Sequence, residues 1–392
     1  MSVDNVVNPL LEQATATGDV PGIVAMVTDR ERTLYEGAFG KRVVGQDALM
    51  TADTVFWIAS MTKALTVTCA MQLLEEGKLN FESPASEWVP ELSGVEILDG
   101  FDAKGVPRTR KPGRAITLLH LLTHTAGFGY PWCSQDLLRY QRFHKLPDVV
   151  TGKNAALKLP LLFEPGKKWN YGISIDFVGK AVEAVSGRKL GEVMKENLLD
   201  PLGMSDTAFK LTASMRQRLA KVHKRGEDDK FAPLMGFEVE QEPEFEVGGG
   251  GLYSTASDYL MFIRMFLNGG ISNGRQILKP ETVKMMSVNH IGANLVCPLK
   301  TSNPWVSSDV EMFPGMPKKW GLGFLINTER APSGRSAGSL AWAGLANTFF
   351  WIDPIKGLGG IYLSQVFPFY DTRQLSHYER FETAVYQSMT KH

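Results

Sequence analysis

The sequence predicts an α/β chain in which an antiparallel sheet, flanked by helices, is interrupted by a smaller and mostly helical domain. Three observations carry this expectation. Strand patterns stand near the N-terminus, where the apolar-rich runs 22–28 and 33–39 flank a charged turn at 29–32, as in a hairpin. They return only late, at 321–327, 347–352 and 359–366. Between them, residues 89–212 alternate loop signals (Pro107, Pro112-Gly113, Pro165-Gly166) with helical stretches such as 116–122 and 175–185. The early and late strands are therefore expected to share one sheet. This divides the chain into a discontinuous sheet domain, 1–88 and 213–392, and a helical domain, 89–212, with an active site in the cleft between them.

Each element has a local reason. Residues 1–17 carry Val6, Leu10, Leu11 and Ala14 at helical spacing, and Gly18 and Pro21 stop the helix. After the hairpin, a short run at 55–58 leads straight into Ala59-Ser60-Met61-Thr62-Lys63. From 61 to 76 the pattern is helical and ends at Gly77. Its apolar residues cover most of the circumference, which marks a buried helix. Residues 223–246 are charge-rich, with Glu238, Glu240, Glu242, Glu244 and Glu246 close together, and read as a solvated loop or edge. A four-glycine run, 248–251, precedes a helix over 255–268 capped by Ser254 or Thr255. The last element, 375–389, is an amphipathic helix.

Composition removes several function classes. The 392 residues suffice for a large core, and 44% apolar with 21% charged residues excludes a disordered chain. Lysine and arginine total 42 and aspartate and glutamate 42, so the basic surplus of a nucleic-acid binder is missing. No apolar run approaches the roughly 18 residues of a membrane span. The first residues carry neither the basic nor the apolar region of a signal peptide, so a cytoplasmic location is expected. Cys69, Cys133 and Cys297 lie far apart, which fits reduced thiols rather than a disulfide framework or zinc site.

Ser60 and Lys63 carry the chemistry. A serine hydroxyl needs a base within hydrogen-bond reach. Three residues on, Lys63 shares its helix face, about 4.5 Å along the axis. Burial disfavours an ammonium and so turns a lysine into a base. The helix N-terminus adds backbone N–H groups for a developing oxyanion.

Ser60-Met61-Thr62-Lys63 resembles the S-x-x-K motif of the penicillin-recognising serine enzymes: class C β-lactamases, DD-peptidases and the related family VIII carboxylesterases. Further matches follow in chain order over roughly residues 20–365. Leu121-Leu122-Thr123-His124-Thr125-Ala126-Gly127 is similar to that superfamily's LLTHTSG segment. Phe163-Glu164-Pro165-Gly166 with Trp169-Asn170-Tyr171, Pro201-Leu202-Gly203-Met204, and Gly249-Gly250-Gly251-Leu252-Tyr253-Ser254-Thr255 resemble its later segments. The resemblance implies a β-lactamase/DD-peptidase-like fold. It implies that Tyr171 exchanges protons with the nucleophile and leaving group, and a phenol beside a cationic lysine is expected to ionise more readily.

Two departures stand out. Ile173 replaces the asparagine of the Y-x-N motif, which removes an amide that would hold substrate or lysine. Where β-lactamases carry K-T-G, this chain has Trp342-Ala343-Gly344, the W-x-G form of family VIII esterases, just before the strand 347–352. A tryptophan offers apolar area instead of a charge for a substrate carboxylate, which favours neutral esters. By the family pattern, Gly344 lets the backbone approach the site, and the N–H of Leu345 joins that of Ser60 as the oxyanion hole. Tyr130, Trp132 and Phe128 are candidate pocket walls.

Rival sites are weaker. Gly334-Arg335-Ser336-Ala337-Gly338 matches G-x-S-x-G, but the strand-turn-helix context of a nucleophile elbow is missing. Its triad would have to draw on Asp353 or Asp371 with His377 or His392. His120 and His124 can share a helix face, yet no third metal ligand accompanies them.

The expectation is a serine carboxylesterase acting on short-chain esters. Ser60 is the nucleophile, Lys63 and Tyr171 the base and acid, and Trp342, Gly344, Tyr130 and Trp132 line the substrate pocket. No cofactor or metal is implied, and the expected partner is a small-molecule ester rather than nucleic acid or membrane; a homo-oligomer stays open. The alternatives are a β-lactamase or DD-peptidase, an acyltransferase of the same fold, and a non-catalytic sensor.

Overall fold

The computed structural model describes residues 2–389. Helix α1 (Val3–Ala16) starts where the Ser2 hydroxyl accepts from the Asn5 N–H, and it buries Val7, Leu11 and Ala14. Strands β1 (Gly22–Thr28) and β2 (Thr33–Gly40) form the expected hairpin. The Asp29 carboxylate caps its turn, accepting from the N–H groups of Glu31 and Arg32. Strand β3 (Phe56–Trp57) runs into a short turn and then helix α2 (Thr62–Glu75), of which eleven residues are buried.

The middle of the chain holds a hairpin, β4 (Ile97–Phe101) with β5 (Pro107–Arg110), that the helical reading of 89–212 does not include. Charged residues interrupt its alternation, and the largely exposed β5 has little apolar signal to give. Helices α3 (Leu118–Leu122), α4 (Gln135–His144), α5 (Ser174–Ser186), α6 (Leu190–Met194) and α7 (Asp200–Leu202), with short 3-10 turns and a π turn, make up the rest of the regular structure there, and α8 (Ala213–Gln217) follows.

Strands β6 (His223–Arg225) and β7 (Phe231–Pro233) follow, and β8 (Tyr253–Ser254) pairs with β3. Helix α9 (Ala256–Leu267) is capped by Thr255, whose hydroxyl accepts from the Asp258 N–H. A two-stranded ribbon, β9 (Ile271–Ser272) with β10 (Arg275–Gln276), leads to α10 (Pro280–Met286). Strands β11 (Lys318–Trp320), β12 (Leu325–Asn327), β13 (Leu340–Gly344), β14 (Thr348–Asp353), β15 (Leu358–Leu363) and β16 (Val366–Phe367) precede the closing helix α11 (Thr372–Met389).

Early and late strands do share one sheet. Its order is β11-β12-β13-β14-β15-β1-β2, antiparallel throughout, joined where Val24 to Thr28 pair with Leu363 to Gly359. Alternation sorts the side chains onto two faces. On one, Trp351 and Tyr362 meet Phe381 and Tyr378 of α11. On the other, Phe350 meets Tyr259 of α9. Trp342 pairs across from Phe350 and so points to this second face, toward α9 and α2. It sits inside strand β13, whereas the sequence places it just before a strand; a five-residue run between glycines and serines is too short to register as one.

The acidic stretch combines an edge and a loop: β7 is the outer strand of a small sheet, and the glutamates lie in the loop that follows. Strand β6 pairs with both β7 and β16. Beyond them, Glu238 pairs with Arg216 and Glu242 with Lys210, while Glu244 and Glu246 accept from the N–H groups of Asn154 and Gly191. The glutamates therefore act as tethers to four separate segments of the chain.

Candidate active site

The turn that carries Ser60 is set by its backbone. Ala59 adopts φ +44°, a left-handed conformation that is strained for an alanine, and this redirects the chain from β3 into α2. Surrounding bonds hold it there. The Ile58 N–H donates to Leu252 O at 3.0 Å, the Leu252 N–H donates to Thr62 Oγ1, and Tyr259 Oη donates to Met61 O. Gly344 ends β13 against the same turn, where a Cβ would lie 2.3 Å from the Ile58 carbonyl oxygen. Leu345 follows immediately, which puts its backbone beside the Ser60 turn.

Lys63 is fully buried, and every hydrogen of its amine is directed. Nζ lies 3.2 Å from Ser60 Oγ, and it donates to Tyr130 Oη at 3.0 Å and to Gly249 O at 2.6 Å. Burial pushes the lysine well below its ordinary range, and the Asp176 carboxylate opposes that shift. Tyr171 Oη accepts from the Trp342 indole N–H at 3.1 Å, and the nearby Ser60 hydroxyl also acts to lower the phenol. Lys63 Nζ also sits over the Tyr171 ring, 4.7 Å from its centroid.

The Tyr171 phenol departs from expectation. Burial raises it above its ordinary range by more than the bonds from Ser60 and Trp342 lower it. Burial therefore keeps Tyr171 protonated and lowers Lys63, which makes the lysine the candidate base.

Tyr130 is more than the pocket wall that the sequence suggests: its hydroxyl is a direct partner of Lys63, and its ring stacks on Trp132. Nothing local in the sequence marks that pairing, which joins residues 67 positions apart. Ile173 is buried core and offers the lysine no polar group, so Tyr130 supplies a hold on Lys63 from elsewhere in the chain. Trp132 is half-buried at the rim, where Ser302 bonds the carbonyls of Pro131 and Trp132. Trp320 packs edge-on against Trp342, with Trp169 beside it, so the site is walled by aromatic rings. Phe128 is not among them: it stacks on Phe177 in the core.

The rival sites come apart. Arg335 of the G-x-S-x-G segment is buried against Glu382 and Tyr378 of α11. The Ser336 N–H donates to Asp353, while His377 bonds Asp19 and Asp371 bonds Arg225, so no triad assembles on Ser336. His392 lies outside the described residues. His120 Nδ1 accepts from the Thr117 N–H, and His124 is buried between Trp169, Tyr171 and Trp320. Among the described residues no group of three or more His, Cys, Asp or Glu is placed to hold a metal ion. Nor is any described helix long and apolar enough to cross a membrane.

Comparison with known proteins bears on this geometry. The beta-lactamase family model matches residues 7–384. Monacolin J acid methylbutanoyltransferase of Aspergillus terreus is 30% identical over 391 residues, covering 95% of this chain and 93% of its own. Lovastatin esterase of Penicillium rubens is 30% identical over 369 residues, covering 89% and 90%. Among solved structures, unliganded simvastatin synthase from Aspergillus terreus superposes with a TM-score of 0.84 at 26% identity, over all of both chains.

Proposed function

The chain belongs to the beta-lactamase family, and from that premise we propose that it is a serine enzyme that hydrolyses carboxylic esters through an acyl-enzyme on Ser60. The observation that carries this reading is the approach of Lys63 Nζ to Ser60 Oγ, 3.2 Å apart, with the lysine buried. Two full-length relatives named for acyl transfer and for ester cleavage support it.

The reaction follows from the geometry. Ser60 Oγ attacks the ester carbonyl carbon as its proton passes to the neutral Lys63 amine. The carbonyl oxygen takes up the charge, facing the backbone N–H groups of Ser60 and Leu345. As the carbon–oxygen bond to the alcohol breaks, the Tyr171 hydroxyl protonates the departing oxygen, and the proton held on Lys63 passes to the Tyr171 oxygen, which restores both groups. Water then repeats the sequence on the acyl-enzyme and releases the acid. Trp342, Trp132 and Tyr130 present apolar faces to the acyl and alcohol groups, which suits neutral esters and gives a β-lactam carboxylate no lysine at 342.

A second acceptor has its own support. The methylbutanoyltransferase aligns along nearly the whole chain, and an aromatic wall favours an apolar alcohol over water. The test is hydrolysis of p-nitrophenyl acetate, butyrate and octanoate beside nitrocefin, on wild type and Ser60→Ala, repeated with a bulky alcohol as acceptor. Ester turnover abolished in the variant is the expected result. Fast nitrocefin with poor ester turnover would make the protein a β-lactamase. Ester product exceeding free acid would make it an acyltransferase.

A further inference from the structure

One buried charge near the site is unused by this chemistry. Asp176, in the first turn of α5, has no solvent exposure. Its Oδ1 accepts from the Gly249 N–H at 2.8 Å, and Oδ2 is buried without a hydrogen-bond partner. The same Gly249 residue presents its carbonyl to Lys63 Nζ at 2.6 Å. One residue's backbone thus links carboxylate to lysine. A side chain at 249 would push on the carboxylate, because a Cβ there would lie 2.6 Å from Asp176 Oδ2. An isolated buried carboxylate is costly, and it persists where something compensates it.

We propose that Asp176 is a positioning residue for Lys63: through the Gly249 backbone it sets where the lysine nitrogen sits, and as a buried anion it is the counter-charge to the ammonium formed when Ser60 gives up its proton. This rests on the reading of Lys63 as the base. The other titratable groups around the lysine carry no compensating charge. Burial raises Tyr130, Tyr171 and Cys133 and lowers His124, so all four are neutral near pH 7. Asp176 and Lys63 act on each other directly: burial raises the carboxyl, and the lysine's charge holds it down. The arrangement also accounts for tolerance of Ile173. A charge relayed through the backbone takes over the hold on the lysine that a neighbouring amide would supply.

The test compares wild type with Asp176→Asn, which keeps an oxygen for the Gly249 N–H and removes the charge. The first readout is the pH titration of the Lys63 13Cε resonance, assigned with Lys63→Arg, and it does not depend on turnover. Loss of an attractive charge disfavours the ammonium, so the midpoint should fall by about one pH unit. The acid limb of kcat/KM for p-nitrophenyl butyrate should move the same way. Since Asp176 touches no substrate, kcat should fall by about tenfold or more while KM stays within about threefold.

Gly249→Ala, whose methyl displaces the carboxylate, should lower the same midpoint and provides the test if Asp176→Asn does not fold. An unchanged Lys63 midpoint in the folded variant overturns the proposal. A falling midpoint in a protein without Ser60-dependent turnover would refute the esterase reading while upholding the hold of Asp176 on Lys63.

Discussion

Replacing Trp342 with phenylalanine separates its two roles, apolar wall and hydrogen-bond donor. Its indole N–H donates to Tyr171 Oη at 3.1 Å, in a site where the ring is 7% exposed. Phenylalanine keeps most of the wall and removes the donor. Against a neutral phenol such a bond contributes about 0.5–1.5 kcal/mol. When Tyr171 hands its proton to the leaving group, its oxygen carries negative charge, and the bond is then worth about 1.5–3 kcal/mol. The difference between the two ranges, about 1–1.5 kcal/mol, is what kcat reads, and it converts to a loss of about 5- to 13-fold. The same change opens space beside Trp320, whose ring meets Trp342 edge-on at 4.7 Å, and should cost on the order of 1 kcal/mol of stability. Steady-state kinetics on p-nitrophenyl butyrate, with urea unfolding as the check on folding, reads both effects. A folded variant with kcat within twofold of wild type would refute the donor role. A rise in KM alone would reduce Trp342 to a binding surface.

Other perturbations test other parts of the argument. Ser60→Ala should abolish ester hydrolysis and Ser336→Ala leave it nearly intact, read with the same substrates; the reverse would move the nucleophile to the G-x-S-x-G segment. Glu382→Ala should destabilise the protein by about 3–5 kcal/mol in urea unfolding, because it strands the buried Arg335 without its partner, and a loss under about 1 kcal/mol would contradict that. His223, buried with Nε2 accepting from the Val44 N–H, is pushed down to about 4 by burial. Its folded value lies below its unfolded one, so its contribution is present above about pH 6.5 and lost as pH falls toward 4; the shift corresponds to roughly 3 kcal/mol. His223→Asn should therefore flatten the loss of stability over that window, and a curve parallel to wild type would rule the histidine out as its source.

Several features are legible in the sequence because they are local. The i, i+3 spacing of Ser60 and Lys63, the all-round apolar pattern of α2 and the hairpin turn at Asp29 each lie within one element. Periodicity over such a span reports burial and shape directly. The late strands are legible in outline, and their union with β1 follows from the need to bury both faces. Strand β13 is not, since five residues carry too few periods to distinguish a strand from a loop.

What only the tertiary structure decided is how the charges around Lys63 are arranged. Tyr130 and Asp176 reach the lysine from segments 67 and 113 residues away in sequence, one directly and one through the Gly249 backbone. Neither leaves a trace in spacing, because a tyrosine in a loop and an aspartate in a helix's first turn have ordinary local explanations. The state of Tyr171 was decided in the same way. Proximity to a cation argues for a phenolate, but desolvation depends on everything packed around the ring, and that sum exists only in the folded chain. The sequence by itself therefore determined that Ser60 and Lys63 share one turn of a buried helix, whereas burial and long-range contact decided which groups surround them and which of those are charged.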